Sequence, residues 1–229
     1  MCCSAAKCKS MKIHAITYGR SVMPQSMVIA GGEPHTYLPI GLILYVIEIE
    51  DRWVLIDAGC DTLPGFDLQD HVSPAQALRD YGIEPNQITD VIITHAHHDH
   101  IDGVRYFLRS RIYMQVEEYR KGKHYIPENL KVHTFTEECI VADCIHVTRV
   151  GGHSVGSSIA TVQAGEVQYV FGADECYLPI CLEKNIPTAI SSNPQASRWF
   201  VSHFSDARYR VLLSHDPKVK TGIIFSERN

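Results

Sequence analysis

Four histidines and an aspartate stand within seven residues, in the segment THAHHDH at positions 94–100. This segment directly follows the apolar run 91–93, which is typical of a buried strand. Converging imidazoles repel one another when protonated and need partners when buried, so a bare polar loop explains the segment poorly. Imidazole nitrogens and carboxylate oxygens are the usual ligands of zinc and similar divalent ions. The segment therefore predicts a metal site at the end of a strand.

Three more potential ligands follow short apolar runs later in the chain. His153 lies in GGHSVG, Asp174 in FGAD and His215 in LLSHD. Each comes after a segment typical of a strand, and the end of a strand is where a sheet presents functional groups. Together with the first segment, they supply enough ligands for two metal ions. The predicted ligands are His95, His97, Asp99, His100, His153, Asp174 and His215.

The order His-x-His-x-Asp-His, followed by His, Asp and His, resembles the dinuclear hydrolases of the metallo-β-lactamase superfamily. The resemblance implies two divalent ions, with Zn²⁺ as the default and Fe²⁺, Mn²⁺ or Co²⁺ as alternatives. It assigns the ligands to two ions that share one carboxylate. By this resemblance the first ion is held by His95, His97 and His153, the second by Asp99, His100 and His215, and Asp174 bridges them.

Two further residues are placed by the same resemblance. The segment VLIDAG at 54–59 is similar to an early strand of the superfamily, in which Asp57 supports the ligand loop from behind. His98 stands inside the ligand segment, but its position is not a ligand position in the family pattern. We therefore expect Asp57 to contact the ligand loop, and His98 to lie behind the ligands or to face solvent.

Tyr177, three residues after Asp174, and the N-terminal stretch 18–23 are similar to the N-acyl homoserine lactonases, which are quorum-quenching enzymes. This likeness implies that the Tyr177 hydroxyl reaches the substrate carbonyl or the departing ring oxygen, because a phenol donates a hydrogen bond while neutral. A metal-bridging hydroxide would attack the ester carbonyl. Asp99 would carry the proton to the leaving group. The catalytic candidates are therefore Asp99 and Tyr177.

The substrate class is less restricted than the metal site. The polar stretch 117–123 argues against a groove for a long acyl chain, although Met23, Met27, Val28 and Ile29 could form an apolar wall. A short-chain lactone or another small ester is expected. Three alternatives are a thioesterase resembling glyoxalase II, a flavodiiron-like redox protein, and a metal-holding sensor or binding module without turnover. For the first, the chain ends too soon after His215 to hold the C-terminal helical domain of that family.

Composition places these residues in one domain over 1–229, with residues 1–10 as a frayed N-terminus, because 229 residues of 45% hydrophobic content show no linker or repeat. The net charge of −5 argues against a nucleic-acid surface. The longest apolar run, 38–47, is too short to cross a membrane, and the N-terminus has no export signal, so a cytoplasmic location is expected. Apolar residues in the N-terminal loop allow a homodimer.

Hydrophobic periodicity predicts an α/β protein. The strongest local signals are a hairpin turn at Glu50 and Asp51 and a helix from Ser73, a good N-cap, to Gly82, a good helix stop. The stretch 115–141 is mixed and polar. Strands are predicted near 12–17, 41–48, 53–57, 90–94, 145–150, 158–162, 168–171 and 208–213, and further helices near 102–107 and 193–204. The resemblance implies a four-layer αβ/βα sandwich with mixed sheets and the metals in a cleft along one sheet edge.

Overall fold

Two mixed β-sheets form the frame of the molecule in a computed structural model that describes residues 10–227. The predicted frayed terminus, residues 1–10, lies outside the described residues except for Ser10. The first sheet has seven strands in the order β12-β1-β2-β3-β4-β5-β6 within the described part of the chain. Its strands are β1 (Met11–Pro24), β2 (Tyr37–Ile49), β3 (Arg52–Ile56), β4 (Asp90–Ile93), β5 (Arg111–Gln115), β6 (Lys131–Phe135) and β12 (Gly222–Ser226).

The second sheet has five strands in the order β11-β10-β9-β8-β7, again counted over residues 10–227. Its strands are β7 (Glu138–Val141), β8 (Ile145–Arg149), β9 (Ser158–Ala164), β10 (Val167–Phe171) and β11 (Tyr209–Leu212). Among the described strands of this second sheet, only β10 and β11 pair in parallel. In the first sheet, the neighbours from β3 to β6 pair in parallel and the other described pairs are antiparallel. Both sheets are therefore mixed, as expected.

Short helices connect the strands. The α-helices are α1 (Gln25–Val28), α2 (Pro74–Tyr81), α3 (His98–Ile101), α4 (Val116–Gly122), α5 (Pro179–Glu183) and α6 (Pro194–Phe204). Single 3-10 turns cover Pro85–Gln87, Asp102–Tyr106, Lys123–Tyr125 and Ala173–Glu175. Within residues 10–227, no helix combines the length and the apolar character needed to cross a membrane.

Three apolar layers hold the sheets and helices together. One lies between the two sheets and joins Tyr45 and Ile92 to Phe171. A second packs α2 and the turns after α3 on the outer face of the first sheet. A third packs α5 and α6, through residues such as Phe200, on the outer face of the second sheet. Helix, sheet, sheet and helix therefore form four layers, which confirms the predicted αβ/βα sandwich.

Local sequence signals explain α2 well. The Ser73 hydroxyl accepts a hydrogen bond from the Gln76 backbone N–H, Pro74 occupies the first helical position, and Gly82 ends the helix with a φ of 96°. These are the favoured cap, start and stop of an α-helix. The predicted hairpin at Glu50 is also present, because β2 and β3 pair antiparallel around it. When an element is specified by its own cap and turn residues, as α2 and this hairpin are, the sequence therefore predicts it accurately.

Other elements differ from the expectation. The helix predicted near 102–107 begins earlier, because α3 starts at His98 inside the ligand segment and continues as a 3-10 turn. The stretch 115–141, expected to be mixed and polar, contains α4, β6 and β7. The strand β12 was not predicted, because it is only partly buried and its partner β1 lies some two hundred residues earlier. These elements depend on distant partners, which periodicity does not detect.

A close backbone contact fixes the turn after α3 against the end of β3. Gly103 N–H donates to the Gly59 carbonyl oxygen at 2.8 Å, and a Cβ on Gly103 would lie 2.1 Å from the Ala58 carbonyl oxygen. We expect Gly103→Ala to lower the free energy of unfolding by about 1–3 kcal/mol, because backbone must move to admit the methyl group. Urea unfolding would measure this change.

The matched control is Arg109→Ala, at an exposed position a few residues away. Substitutions on an open surface usually change the free energy of unfolding by less than about 0.5 kcal/mol. Equal urea midpoints for Gly103→Ala and the wild type would show that this contact is not tight.

Candidate metal centre

The ligand segment begins where β4 ends. β4 is buried along its whole length, and Thr94 and His95 extend it before the chain enters α3 at His98. Because β3 and β4 are parallel, Asp57, which follows β3, lies beside Thr94. Its carboxylate accepts hydrogen bonds from the Thr94 backbone at 2.8 Å, from Thr94 Oγ1 at 2.9 Å and from His100 Nδ1 at 2.7 Å. Asp57 thus supports the ligand segment from behind, as expected.

The first ligand group consists of His95, His97, His153 and Asp174. His97 Nδ1 lies 3.1 Å from His95 Nε2 and 2.9 Å from His153 Nε2. Asp174 Oδ2 lies 3.7 Å and 3.5 Å from the same two Nε2 atoms. Ligand atoms around a tetrahedral zinc ion lie about 3.3 Å apart, given metal-to-nitrogen distances of about 2.0–2.1 Å. The four side chains therefore have the spacing of ligands to a single ion.

The second ligand group consists of Asp99, His100 and His215. Asp99 Oδ2 lies 3.7 Å from His100 Nε2 and 3.5 Å from His215 Nε2. The second oxygen of Asp174, Oδ1, lies 3.0 Å and 3.1 Å from these same nitrogens. Asp174 therefore faces the first group through Oδ2 and the second through Oδ1. A carboxylate in that position is suited to bridge two ions.

Fixed carbonyl groups orient the imidazole rings. His215 Nδ1 lies 3.0 Å from the Gly41 carbonyl oxygen, and His153 Nδ1 lies 2.9 Å from that of Ile190. Since a carbonyl oxygen only accepts, each Nδ1 must carry the hydrogen, which leaves the lone pair on Nε2. His100 is oriented in the same way by Asp57. All three rings consequently direct Nε2 towards the candidate centre.

Buried atoms without partners test whether a metal fits. Among the described residues, His100 Nε2, Asp174 Oδ1 and His215 Nε2 are buried and have no hydrogen-bond partner. Asp174 Oδ1 lies 3.0 Å from His100 Nε2 and 3.1 Å from His215 Nε2, but neither contact has the geometry of a hydrogen bond. Each buried polar atom left unpaired costs about 1–3 kcal/mol, so native proteins normally supply a partner. Three unpaired atoms directed at one place fit a cation between them. The donor set of imidazoles and carboxylates fits Zn²⁺, Fe²⁺, Mn²⁺ or Co²⁺.

Three members of the first group have pKa values shifted towards the forms that bind metal. Burial lowers the pKa of His95 well below its ordinary value, and it also lowers the pKa of His153. Burial alone would raise the pKa of Asp174, but the charges of His100 and His215 hold it well below its usual range. Metal ligation requires neutral imidazoles and an ionised carboxylate. The pKa shifts of His95, His153 and Asp174 therefore all favour metal binding.

The second group lies in strongly negative surroundings. Burial alone would lower the pKa of His100, but the charges of Asp174, Asp57 and Asp99 raise it well above its ordinary value. Burial is likewise outweighed at His215, whose pKa is raised by Asp174 and Asp99. Carboxylates that stabilise protonated imidazoles would also stabilise a divalent cation in their place. The electrostatics of this group therefore favour a metal ion.

Tyr177 lies against both ligand groups. Its ring stacks on His215 at 4.9 Å between centroids, and its edge approaches the His153 ring at 6.1 Å. Burial, followed by the charges of Asp174 and Asp99, raises the pKa of Tyr177 well above its ordinary value. The phenol consequently stays protonated, and it is available as a hydrogen-bond donor beside the candidate centre.

The structure brings all seven predicted ligands into the two groups. His98 is directed elsewhere, since its Nδ1 lies 3.2 Å from Tyr125 Oη and its Nε2 lies 3.3 Å from Thr62 Oγ1. Of the expected apolar wall, Met23 and Val28 are buried in the core on the outer face of the second sheet. Ile29 is partly buried against the same core, so three of the four members pack inward and the wall is smaller than predicted.

Two buried glutamates beside the ligand segments were not predicted. Glu118 and Glu175 are each 1% exposed. Glu118 lies in the polar stretch 117–123, where sequence alone does not show which acid faces inward, because that depends on how α4 packs. For Glu175 the sequence held one signal, its position directly after the predicted ligand Asp174.

Known proteins share this fold and sequence pattern. N-acyl homoserine lactonase AiiA of Bacillus thuringiensis subsp. kurstaki is 25% identical over 206 residues, which cover 78% of this chain and 81% of the relative. An N-acyl homoserine lactone hydrolase, solved with the product N-hexanoyl-L-homoserine at its catalytic metal centre, has a TM-score of 0.78 at 19% identity and covers 93% of this chain and 95% of its own. AidC, a dizinc quorum-quenching lactonase, has a TM-score of 0.72 at 15% identity, covering 95% and 93%.

The sequence of this chain also matches the model of a protein family. A sequence model of the metallo-beta-lactamase superfamily matches residues 44–174, which include β4, the segment 94–100, His153 and Asp174. The matched region is more than half of the chain. The ligand order, the four-layer fold and this match agree with one another, and the chain belongs to the metallo-beta-lactamase superfamily.

Proposed function

We propose that this protein is a dinuclear metal-dependent hydrolase that opens a lactone or a small ester, with an N-acyl homoserine lactone as the first substrate to test. The observation that carries the proposal is the pair of ligand groups that share Asp174, with the protonated Tyr177 phenol against both. The lactonase names of the relatives support this substrate class. The same ligands could serve a thioesterase, which becomes the leading alternative if lactones fail.

The ligand residues have defined parts in this proposal. His95, His97 and His153 would hold one ion, Asp99, His100 and His215 the other, and Asp174 both, in line with the spacing of their donor atoms. Divalent ions in this site would act as Lewis acids and lower the pKa of water to about 7, which makes hydroxide available at neutral pH. No side chain is then required as the nucleophile.

Tyr177 would orient the substrate and stabilise charge on oxygen. Its ring is fixed by stacking on His215 and by burial, so little motion is left to the hydroxyl. A neutral donor held in place stabilises a developing oxyanion without reorganisation. We assign its hydrogen bond to the carbonyl oxygen under attack or to the ring oxygen that departs.

Asp99 would move the proton. Its side chain is 12% exposed, and its Oδ2 faces both His100 and His215. One oxygen can therefore stay beside these imidazoles while the other reaches the cleft. In the reaction, a bond forms between the carbonyl carbon and the water oxygen, and the bond from that carbon to the ring oxygen breaks. Asp99 accepts the proton of the water and delivers it to the departing oxygen, which becomes an alcohol. The new carboxylic acid ionises and releases one proton.

The remaining parts of the proposal come from the sequence. The polar stretch 117–123 favours a small substrate, and zinc is the default ion. A cytoplasmic location, a homodimer and a single domain stay predictions. A sensor that binds metal without turnover would be indicated by full metal occupancy with no hydrolysis of any ester.

The first prediction of the proposed function concerns Tyr177. Zinc-loaded protein is expected to release protons from short-chain N-acyl homoserine lactones, measured with a pH indicator. Tyr177→Phe should lower kcat roughly 10- to 100-fold, because it removes one hydrogen bond to a charged oxygen. Tyr209→Phe is the matched control, since its hydroxyl bonds His203 on the surface at 3.2 Å. Equal rates for Tyr177→Phe and the wild type would reject the role of Tyr177, and no proton release with two ions bound would reject the lactonase.

The second prediction concerns Asp57. The two carboxylate oxygens accept from different N–H groups, so the NH2 of an asparagine would face either the Thr94 backbone N–H or the His100 Nδ1–H, and Asp57→Asn should misplace the ligand segment or His100. We expect metal affinity to fall roughly 10- to 100-fold, measured by competition with a chelator. Asp70→Asn is the matched control, since Asp70 is exposed and also has a positive φ, 48° compared with 59° at Asp57. Unchanged affinity in Asp57→Asn would contradict the support role of this carboxylate.

A further inference from the structure

Two buried carboxylates lie outside the ligand set but contact the segments that carry it. Glu118 and Glu175 approach the loop 151–157, which contains His153, from different elements. An ionisable group this deeply buried is rare unless it makes specific hydrogen bonds. Their hydrogen bonds therefore show what they do in the fold.

Glu118 joins two ligand segments. Its Oε2 accepts a hydrogen bond from the Ala96 backbone N–H at 3.0 Å, and Ala96 stands between two ligands of the first group. Its Oε1 accepts from the Gly156 backbone N–H at 2.8 Å and from Ser154 Oγ at 2.9 Å. Close approach requires the glycine, because a Cβ on Gly156 would lie 2.8 Å from Glu118 Cγ. One carboxylate thus fixes the ligand segment of β4 to the loop that carries His153.

Glu175 joins the same loop to the bridging carboxylate. It accepts hydrogen bonds from the backbone N–H groups of Gly152 and His153, each at 3.2 Å, and from Ser157 Oγ. Because Glu175 directly follows Asp174 in the chain, its contacts set the position of His153 relative to Asp174. The three segments that form the first ligand group are consequently tied together through two carboxylates.

The second ligand group has other supports. His100 is held by Asp57, and His215 is held by the Gly41 carbonyl oxygen. Neither Glu118 nor Glu175 makes a hydrogen bond or ion pair with Asp99, His100 or His215 among the described residues. Apart from Asp174, which faces both groups, and Asp57, which also holds Thr94 beside His95, the two groups are therefore positioned by different contacts.

We propose that Glu118 and Glu175 are positioning residues for the first ligand group, which hold the segment of His95 and His97, the His153 loop and Asp174 in one frame. The inference rests on metal binding at the two groups, which is part of the proposed function. It predicts a selective effect. Disturbing this frame weakens the first metal site and leaves the second intact.

Glutamine is the sharpest substitution at position 118. It keeps the size of the side chain, but its amide nitrogen is a donor and faces N–H groups that also donate. The matched control is Glu117→Gln, because Glu117 is the neighbouring residue, is only partly buried and pairs with the exposed Arg120. Lys121, 3.5 Å from Glu118 Oε1, is left unchanged in both variants.

The test is a titration of metal-free protein with Co²⁺, followed by its visible absorption and by metal content per chain. Two reference variants separate the groups: His215→Ala keeps the first group complete, and His153→Ala keeps the second. Added to His215→Ala, Glu118→Gln is expected to weaken Co²⁺ binding roughly 10- to 100-fold. Added to His153→Ala, it should change the affinity by less than about twofold, because the supports of the second group are untouched. Glu117→Gln should leave both affinities as they are.

Several outcomes would overturn the inference. These are equal weakening of both sites, no weakening of either, or a lower melting temperature with both Co²⁺ affinities intact. If Glu118→Gln does not fold, Ser154→Ala removes a single hydrogen bond to Glu118 and should weaken the first site alone, by a smaller factor. Wild-type protein that binds no Co²⁺ would overturn the proposed function as well. Wild-type protein that binds two ions, with Glu118→Gln unchanged, would overturn only this inference.

Discussion

The Asp174 carboxylate is the constraint on which the rest of the site depends. It is 2% exposed and lies within 3.0–3.7 Å of imidazole nitrogens from four histidines. Burying an ionised carboxylate among imidazoles is unfavourable unless charge and lone pairs are compensated. This negative charge raises the pKa of His100 and of His215, and divalent cations between the two groups would compensate it more strongly. The folded protein therefore holds buried negative charge that metal ions would neutralise.

The sandwich brings the site residues together by ending their strands in one cleft. β3 delivers Asp57, β4 delivers the ligand segment, β10 delivers Asp174 and β11 delivers His215. The parallel register of β10 and β11, in which Phe171 pairs with Leu212, puts the last two at the same edge. Backbone carbonyls and buried carboxylates then fix each ring. Precision at the site therefore comes from the sheet ends and from contacts behind the ligands, and the three apolar layers keep those ends in place.

Local chemistry was predictable from the sequence, and long-range packing was not. The ligand types and their spacing predicted the seven residues that converge, and the caps Ser73 and Gly82 predicted α2. Periodicity indicated only an α/β protein, and the four-layer arrangement followed from the family resemblance. The strand β12 and the inward orientation of Glu118 were missed, because each is decided by a partner far away in the chain. A polar stretch can contain a buried acid when its hydrogen bonds come from distant backbone groups.

Anomalous diffraction at the zinc edge, from crystals grown with Zn²⁺, tests most directly whether two metal ions share Asp174. We expect two peaks in each chain. One should lie about 2.0–2.2 Å from the donor atoms of His95, His97 and His153, and the other at similar distances from those of Asp99, His100 and His215, with one oxygen of Asp174 reaching each. A single peak, or peaks only outside these two ligand groups, would contradict the claim.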